Sequence, residues 1–401
     1  MLIRQLTKEE FDARKELSEF AFQFQFTPER LQEERERFQP GNYWGVFDEQ
    51  GRMLSGLNLI PFEIYVQGRV LRMGGLAAVA SWPETRRGGN ITKLLERTLE
   101  AMREQGQTVS MLAPFQFPFY RKYGWEFTIE RKRYEIEMAL LPKSRESRGS
   151  MERVPKEAQE LVAIYQAFAS RYNGTLHRSE DWWSRKVLRK PGLAAVWRND
   201  SGVPAGYIIY EVQNRLFTVH DWAYADEEAR AEIWRFIANH DSMAERVSIT
   251  VPADDALGFL LPDPRFKQEL VPYFMSRVVD VEGFIEQYPF HPAEKEEGLT
   301  LDISDSYAPW NNRRFRIIFR ADGAARVQQS AQSADRESGE RLGNEELPAA
   351  SCDIRALTAM LLGNRRPQWL RQAGLIQGDR EALELLESRI PVRTSYLADF
   401  F

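Results

Sequence analysis

Two arginines and two glycines stand directly before a helical pattern, in the stretch PETRRGGNITKLL at residues 83–95. Glycines at the start of a helix leave room for another group to approach the backbone. The first turn of a helix also presents unpaired N–H groups at the positive end of the helix dipole. The stretch is therefore suited to holding an anion, and phosphate is the usual ligand of such a turn. A tight turn with surface arginines is the alternative interpretation.

Two further features flank this turn. The segment GGLAAVASWP at 74–83 is typical of a strand of small residues, whose exposed edge an extended ligand arm can approach. A short buried strand, TVSMLAPF at 108–115, is followed by the aromatic stretch FYRKYGW at 119–125. These features form one ordered constellation, which is more specific than an isolated motif: a strand, the anion-holding turn, a helix, a second strand and the aromatic stretch.

The elements that must position these residues alternate between strands and helices. Strands are predicted over 43–48, over 53–60 and from 75 to 82, with turns at 49–51 and 66–69. The helix after the glycines ends at Gly106 and carries one apolar face. The residues of that face are Ile91, Leu94, Leu95, Leu99 and Met102. Strands joined by turns and then a strand–helix–strand unit predict an α/β domain with a mixed sheet.

Two more blocks follow along the chain. A polar segment at about 141–157 predicts a linker, and the second block then repeats the order of elements of the first without its glycine-rich turn. In that block the segment HRSEDWW at 177–183 is expected to support a contact between domains. The third block, from about residue 286, combines strands with two short helical patterns. Its stretch 323–351 is poor in apolar residues and predicts a polar hairpin or loop outside the core.

Composition excludes several classes of function. With 401 residues, 43% of them hydrophobic, the chain fits two or three globular domains and has no apolar segment long enough to span a bilayer. Early N-terminal charges argue against a secretory signal, and the single cysteine, Cys352, fits a reducing cytoplasm. The scattered histidines argue against a metal site, and the net charge of −5 argues against a nucleic-acid partner.

The constellation resembles the GCN5-related N-acetyltransferases (GNAT), in which the motif Arg/Gln-x-x-Gly-x-Gly/Ala holds the diphosphate of acetyl-CoA. Arg86 fills the first position of that motif and Gly89 the first required glycine, whereas Ile91 replaces the usual small third residue. The Eis-type (enhanced intracellular survival) branch shares a bulky aliphatic residue there. Each member of this branch consists of a catalytic GNAT domain, a second, degenerate GNAT domain and a sterol-carrier-protein-like domain. The three blocks of this chain resemble that organisation over the whole sequence. The resemblance implies an α/β (α+β) fold of tandem GNAT-type mixed sheets, with domains at 1–145, 146–285 and 286–401.

The resemblance also implies a site for acetyl-CoA, as a co-substrate and without a metal. Its residues are Val79, Ala80 and Ser81 for the pantetheine arm; Arg87, Gly88, Gly89, Asn90, Ile91 and Thr92 for the diphosphate; and Phe115 and Gln116 beside the thioester. Because the second block has no such turn, we expect it to bind no coenzyme A.

The acid and the base of the reaction are likewise implied by the resemblance. Tyr120, from the motif Phe-Tyr-x-x-x-Gly, is the implied general acid. A phenol with a pKa of about 10 stays protonated at neutral pH and can donate to a departing thiolate. The aromatic stretch is also compatible with core packing, and Tyr123 is the rival tyrosine. Eis-type enzymes use the terminal carboxylate as the base, which here is that of Phe401, at the end of the apolar SYLADFF.

Four phenylalanines alternate in FAFQFQF at 20–26. The spacing predicts a half-buried strand or a buried helix segment, and a wall of the substrate site is the alternative. Since the substrate cleft of the family is formed partly from this region, the resemblance implies that Phe24 and Phe26 line it.

The leading prediction is a cytoplasmic, acetyl-CoA-dependent N-acetyltransferase acting on primary amines, either aminoglycoside-like polycations or lysine side chains of peptides. By resemblance alone we expect a homo-oligomer, a hexamer, with neither nucleic acid nor membrane as a partner. A lipid- or sterol-binding carrier, with a non-catalytic GNAT scaffold, is the alternative from another class. A tandem acyltransferase that uses a longer acyl-CoA is the third.

Overall fold

The computed structural model describes residues 1–142, 149–157, 159–328, 347–363 and 365–401. The strands, labelled in chain order, are β1 Leu2–Gln5, β2 Tyr43–Phe47, β3 Met53–Val66, β4 Arg69–Ser81, β5 Val109–Leu112, β6 Glu126–Glu137, β7 Gly149–Val154, β8 Leu193–Asn199, β9 Pro204–Gln213, β10 Leu216–Tyr224, β11 Arg246–Pro252, β12 Lys267–Val278, β13 Glu297–Ser304, β14 Arg314–Phe319, β15 Ala325–Gln328, β16 Ala349–Asp353 and β17 Ile376–Gly378.

The helices are α1 Phe11–Phe22, α2 Pro28–Glu36, α3 Asn90–Glu104, α4 Phe117–Lys122, α5 Glu160–Ala169, α6 Glu180–Trp182 with a π-helical continuation over Trp183–Val187, α7 Glu227–Ala238, α8 Leu257–Leu260, α9 Val281–Gln287, α10 Ile354–Leu361, α11 Pro367–Gln372 and α12 Arg380–Arg389. Within the described ranges, none of these helices is both long and apolar enough to cross a membrane.

Strands from the first two blocks form one continuous sheet in the order β1-β2-β3-β4-β5-β12-β6-β11-β10-β9-β8-β7. Neighbouring strands are antiparallel except for β4–β5 and β10–β11, which are parallel. β12 comes from the second block of the sequence but lies between β5 and β6 of the first. The predicted tandem mixed sheets are confirmed, and the exchange of β12 joins them into a single sheet. The third block has its own sheet, β15-β14-β13-β16-β17.

The first sheet opens beside the predicted anion-holding turn, because β4 and β5 pair over only part of their length. Their last pair is Leu76 with Leu112, where β5 ends, while β4 continues to Ser81. Over 77–81 the described strands pair β4 with β3 alone, and a bulge bends β4 at Ala78, which has a φ of +51°. One edge of β4 is therefore left to bond with another group.

The predicted helix α3 covers one face of this part of the sheet. Its apolar residues Leu94, Leu95, Leu99 and Met102 are buried in a core cluster with strands β2 to β5. Gly74 of β4 faces the helix, since a Cβ at this position would lie 2.6 Å from the sulfur of Met102. The glycine thus allows α3 to pack closely against the strand whose edge is open.

One prediction about a polar segment is wrong, and another is confirmed only in part. Gly149–Val154 lies in the predicted linker but forms β7, which pairs with β8 at the end of the sheet, where polar side chains can face solvent. Within the predicted polar stretch at 323–351, Ala325–Gln328 forms the hairpin strand β15 against β14, but Ala349–Asp353 overlaps the end of that stretch and forms β16, whose Ala350 and Cys352 are buried between β13 and β17. Residues 143–148 and 329–346 of these two predictions lie outside the described residues.

The predicted strand or buried helix at 20–26 is also wrong. Helix α1 ends at Phe22, and Gln23 ends it with a left-handed φ of +55°. Phe20 and Phe22 are each 50% exposed, so their alternation does not mark one buried face.

Candidate active site

The turn before α3 presents its backbone to solvent. Arg87 and Gly89 adopt left-handed conformations, with φ of +66° and +80°. A Cβ at Gly89 would meet no atom within 4 Å, so the space above the turn is open. No side chain from the described residues caps the helix, and the first amide bonded to its start is that of Lys93, 3.1 Å from the Gly89 carbonyl. The amides at 90–92 are thus available to an anion.

A cavity of about 700 Å³, here named the turn cavity, lies between this turn and the open edge of β4. Its lining includes most of the residues predicted for acetyl-CoA, which are Val79, Ala80, Ser81, Arg87, Gly89, Asn90, Ile91, Thr92 and Phe115. Gly88 and Gln116 are exposed and do not line it. The bulky Ile91 is accommodated because it also packs against the core cluster of α3.

Three cations line the turn cavity, and two of them, Arg86 and Arg87, belong to the predicted diphosphate motif. The third is Lys122 from the aromatic stretch, whose ammonium lies 5.1 Å from the ring centroid of Tyr123. None of the three forms an ion pair with a carboxylate of the described chain, and no acidic residue lines the cavity. The cavity therefore suits a ligand with several negative charges. The one feature of the sequence that indicates a role for Lys122 in the site is its position two residues after Tyr120.

Four uncharged or apolar side chains complete the lining and were not predicted either. They are Ala21 and Phe22 from the end of α1, Thr85 before the turn, and Phe119 from α4. Phe119 contacts Phe115 at a ring-centroid distance of 5.1 Å. Phe115 is 69% exposed, so the mouth of the turn cavity offers an apolar surface.

The two candidate tyrosines differ in their hydroxyl contacts, although both belong to the core cluster of α3. The Tyr120 hydroxyl has no hydrogen-bond partner among the described residues, and its ring lies 5.5 Å from that of Phe115. Burial raises the pKa of Tyr120 above its usual value, so this phenol keeps its proton at neutral pH. The Tyr123 hydroxyl is hydrogen-bonded to Thr92 Oγ1 at 2.9 Å, and Tyr123 itself lines the turn cavity.

Gly124, the glycine of the motif Phe-Tyr-x-x-x-Gly, occupies a position where the structure leaves no room for a side chain. Gly124 has a φ of +89°, and a Cβ there would overlap the guanidinium of Arg277, which donates to the carbonyl of Tyr123. Arg277 comes from the exchanged strand β12 and pairs with Asp305 of the third block at 2.7 Å. Burial lowers the pKa of Arg277, and the Asp305 carboxylate opposes that effect. The turn after α4 is thus held by parts of the chain distant in sequence.

Replacing Gly124 by alanine is expected to destabilise the protein more than replacing Gly51 by alanine. Both glycines have left-handed φ values, which cost an alanine about 1–2 kcal/mol, but a Cβ at Gly51 meets nothing within 4 Å. The overlap with Arg277 adds about 1–3 kcal/mol of packing strain at Gly124. Urea unfolding of the two variants measures the difference, and equal losses would contradict this account of the motif glycine.

The C-terminal tail is held along its length. The Tyr396 amide donates to the Asn173 carbonyl at 2.9 Å, and Ser395 Oγ donates to the Leu362 carbonyl at 2.7 Å. The Tyr273 hydroxyl donates to the Asp399 carbonyl at 2.8 Å. Such contacts oppose the fraying that is common at chain ends.

A buried ionic network fixes the end of this tail to the second block. The Asp399 carboxylate accepts from Arg178 Nε at 3.1 Å and from Trp182 Nε1 at 2.8 Å. Arg178 also pairs with Asp221 at 2.9 Å. Arg178 and Trp182 belong to the segment HRSEDWW, which therefore forms the predicted contact with another part of the chain.

Phe401 lies against the point where β4 and β5 separate. Its ring centroid is 4.7 Å from that of Phe62 and 5.0 Å from that of Phe274. A Cβ at Gly75 would lie 2.9 Å from the Phe401 ring, so this glycine makes room for the terminal residue. Gly75 immediately precedes Leu76, which forms the last β4–β5 pair, and it faces away from α3 because successive residues of a strand alternate in direction.

Phe24 and Phe26, predicted to line the substrate site, pack against each other edge to face at 4.8 Å. They do not line the turn cavity, and Phe24 is 39% exposed. In the part of the chain that the structure describes, no three His, Cys, Asp or Glu side chains are grouped so that they can hold a metal ion.

Models of known protein families match three parts of the chain. An acetyltransferase (GNAT) domain matches residues 2–128, another acetyltransferase (GNAT) domain matches 174–278, and a sterol carrier protein domain matches 281–398. An uncharacterized N-acetyltransferase of Streptomyces griseus is 24% identical over 323 residues, which are 73% of this chain and 76% of that protein. The protein is an acetyltransferase with two GNAT domains.

Solved structures agree with this fold over the whole acetyltransferase. A probable N-acyltransferase from Enterococcus faecalis is 28% identical, with a TM-score of 0.88 and coverage of 100% of this chain and 99% of that one. Eis1 from Mycobacterium abscessus shares the fold at a TM-score of 0.80 and 20% identity, with both chains covered completely. The turn cavity lies within the residues matched by the first GNAT domain.

Proposed function

We propose that this acetyltransferase is of the Eis type and transfers the acetyl group of acetyl-CoA to a primary amine. The observation that carries the proposal is the turn cavity, where three cations without a described carboxylate partner surround an uncapped helix start. Coenzyme A carries several phosphate charges and an extended pantetheine arm. A cationic turn next to an open strand edge matches both features.

The residues of the turn cavity would hold the coenzyme by different means. The amides at 90–92 and the side chain of Arg87 would bind the diphosphate, while Arg86 and Lys122 add positive charge. The open edge at Val79–Ser81 would bond the pantetheine arm as a strand does, and Phe115 and Gln116 would flank the thioester. Acetyl-CoA supplies the thioester whose carbonyl carbon accepts the amine and whose thiolate then departs.

Two groups of this chain would handle the protons of the transfer. The terminal carboxylate of Phe401 would accept a proton from the attacking ammonium or amine. Tyr120 would donate its phenolic proton to the departing thiolate, a role supported by its unpaired hydroxyl and by burial, which raises the pKa of Tyr120. The location of Phe401 at the separation of β4 and β5 supports its part in the same site.

The finer assignments remain predictions of the resemblance. They are the acceptor classes, aminoglycoside-like polycations and lysine side chains; the lining roles of Phe24 and Phe26; the domain limits 1–145, 146–285 and 286–401; the cytoplasmic location; and the hexamer. The carrier function is not proposed, because two acetyltransferase domains match the chain and the cavity of about 360 Å³ in the third block includes the carboxylates of Asp302 and Asp353 in its lining, beside Ile303 and Leu375.

Replacing Gly88 by valine is expected to raise the Kd of coenzyme A at least about tenfold without unfolding the protein. Gly88 does not need a left-handed φ, and a Cβ there would contact only the Thr85 carbonyl, at 3.5 Å, so the fold can accept a side chain. A valine side chain directly before Gly89, which does line the turn cavity, would crowd the approach of a diphosphate to the amides of the turn. Calorimetric titration of coenzyme A into the wild type and the variant measures the change.

The matched control for this variant is Gly41→Val. Gly41 also lies in an exposed turn without a left-handed φ, and the nearest atom to a Cβ there is Gln5 Nε2 at 3.9 Å. Its valine variant should bind coenzyme A like the wild type. If Gly88→Val does the same while remaining folded, the coenzyme does not use this turn.

A further inference from the structure

A second cavity, here named the tail cavity, lies beside the terminal residue. It has a volume of about 350 Å³, and the tail residues Tyr396, Ala398, Asp399 and Phe400 form one of its walls. Phe400 immediately precedes Phe401. The tail cavity therefore lies next to the terminal residue, and the proposed acetyl transfer leaves it without a use.

Both carboxylates of the tail cavity are saturated by donors of the protein. Asp221 accepts from Arg178 at 2.9 Å, from Lys190 at 3.0 Å and from Tyr207 at 2.6 Å. Burial alone would raise the pKa of Asp221, but Arg178 and Lys190 more than offset burial and hold that pKa below its usual range. As described above, Arg178 and Trp182 also bind Asp399. Neither carboxylate is left to recognise a cationic ligand.

Two cations of the same cavity have no such partner. Arg131 lies 3.5 Å from the ring centroid of Tyr273, and the Lys186 ammonium lies 5.6 Å from that of Trp182. Neither forms an ion pair with a carboxylate in the described ranges. Burial lowers the pKa of Lys186; Arg30 adds to that effect, and Glu34 opposes it without forming an ion pair with Lys186. Each cation would gain from an anionic partner.

His220 also lines the tail cavity and adds no competing negative charge. Its Nε2 lies 3.7 Å from Glu211, and burial lowers its pKa, which favours the neutral ring. The charges that face the tail cavity without a partner are therefore positive.

We infer that the tail cavity binds an anionic group, a carboxylate or a phosphate, carried by the acceptor amine. The inference rests on the proposed function, because the amino group of the acceptor must react beside Phe401 if the anionic end of the same molecule is to reach Arg131 and Lys186. A polycation would meet two like charges there. Between the two acceptor classes, the cavity favours lysine side chains that are close to a carboxylate over aminoglycosides.

Two matched pairs of acceptors test this inference. Nα-acetyl-lysine and its amide differ only in one carboxylate, and O-phosphoethanolamine and ethanolamine differ in a phosphate. We expect kcat/KM to favour the charged member of at least one pair about tenfold, a typical gain for a charge-assisted hydrogen bond. The pair whose charged member has the higher kcat/KM identifies the anion as carboxylate or phosphate, and that charged member is the preferred acid. An aminoglycoside should have a lower kcat/KM than the preferred acid.

Variants of Lys186 and Arg131 test whether the preference for the charged acceptor arises in the tail cavity. Lys186→Gln and Arg131→Gln should each bring the ratio of kcat/KM between the preferred acid and its uncharged analogue close to one. Arg133→Gln is the matched control, since Arg133 lies two residues after Arg131 on β6 but pairs with Glu269 at the surface, 3.5 Å away. Arg133→Gln should keep the wild-type ratio. Equal kcat/KM values within both pairs in the wild type, or unchanged ratios in both cavity variants, would overturn the inference.

Binding without turnover separates this inference from the proposed function. Each acid and its uncharged analogue can be titrated calorimetrically into the full-length protein with coenzyme A present. If no amine is acetylated but the acid binds more tightly and Lys186→Gln abolishes the difference, the proposed function fails and the anion site stands. If amines are acetylated but acid and analogue bind equally, the anion site fails alone.

Discussion

Replacing Tyr120 by phenylalanine is expected to lower kcat about 100-fold, while the Kd of coenzyme A changes little. General acid catalysis contributes at least this factor when a positioned group protonates the leaving atom. The substitution removes only a hydroxyl that has no hydrogen-bond partner in the described structure, so the fold loses no bond. Thiol release from acetyl-CoA under saturating amine measures kcat, and urea unfolding verifies that the variant is folded.

The rival tyrosine provides the control. Tyr123→Phe removes the hydrogen bond to Thr92 at 2.9 Å and disturbs the wall of the turn cavity, so we expect a change mainly in the Kd of coenzyme A. If Tyr123→Phe causes the larger loss of kcat, Tyr123 is the acid and the assignment of Tyr120 is wrong.

The pH dependence of kcat in the wild type follows from the raised pKa of Tyr120. Because burial raises the pKa of Tyr120, its proton stays bound beyond the ordinary phenol value of about 10. Between pH 7 and 10, kcat should therefore show no decline from loss of this proton. A decline that is absent in Tyr120→Phe would mean that Tyr120 titrates within this range.

Extending the chain by two glycines after Phe401 is expected to lower kcat by a comparable factor of about 100. The extension turns the terminal carboxylate into a peptide group, which cannot accept a proton from the amine. The hydrogen bonds that hold the tail come from residues 394–399 and are untouched, so the free energy of unfolding and the Kd of coenzyme A should stay near the wild-type values. An extended protein with full activity would exclude the terminal carboxylate as the base.

Phe401→Leu is the control for this extension. It keeps a terminal carboxylate and an apolar side chain opposite Gly75, and it loses only the ring contacts with Phe62 and Phe274. We expect a much smaller loss of kcat than for the extension. Equal losses in both proteins would indicate that the packing of the tail matters rather than its carboxylate.

The sequence alone determined the elements around the turn. Glycines that favour left-handed φ and a residue pattern with helical spacing are local properties, so the open turn at Gly89 and the buried face of α3 were both predicted. Burial that depends on neighbouring elements is not encoded in such local patterns. Phe20 and Phe22 are exposed despite their alternation, and the polar residues 149–154 form an edge strand.

Only the tertiary structure decided how distant parts of the chain complete the site. It inserts β12 between β5 and β6, aligns Arg277 with Gly124, and seats Phe401 against Gly75. It also leaves Arg131 and Lys186 without carboxylate partners in the described chain while it saturates Asp221 and Asp399. The physical reason is that strand pairing, close packing and the neutralisation of buried charge depend on which surfaces meet. Contacts between residues hundreds of positions apart have no periodicity that a sequence pattern can reveal.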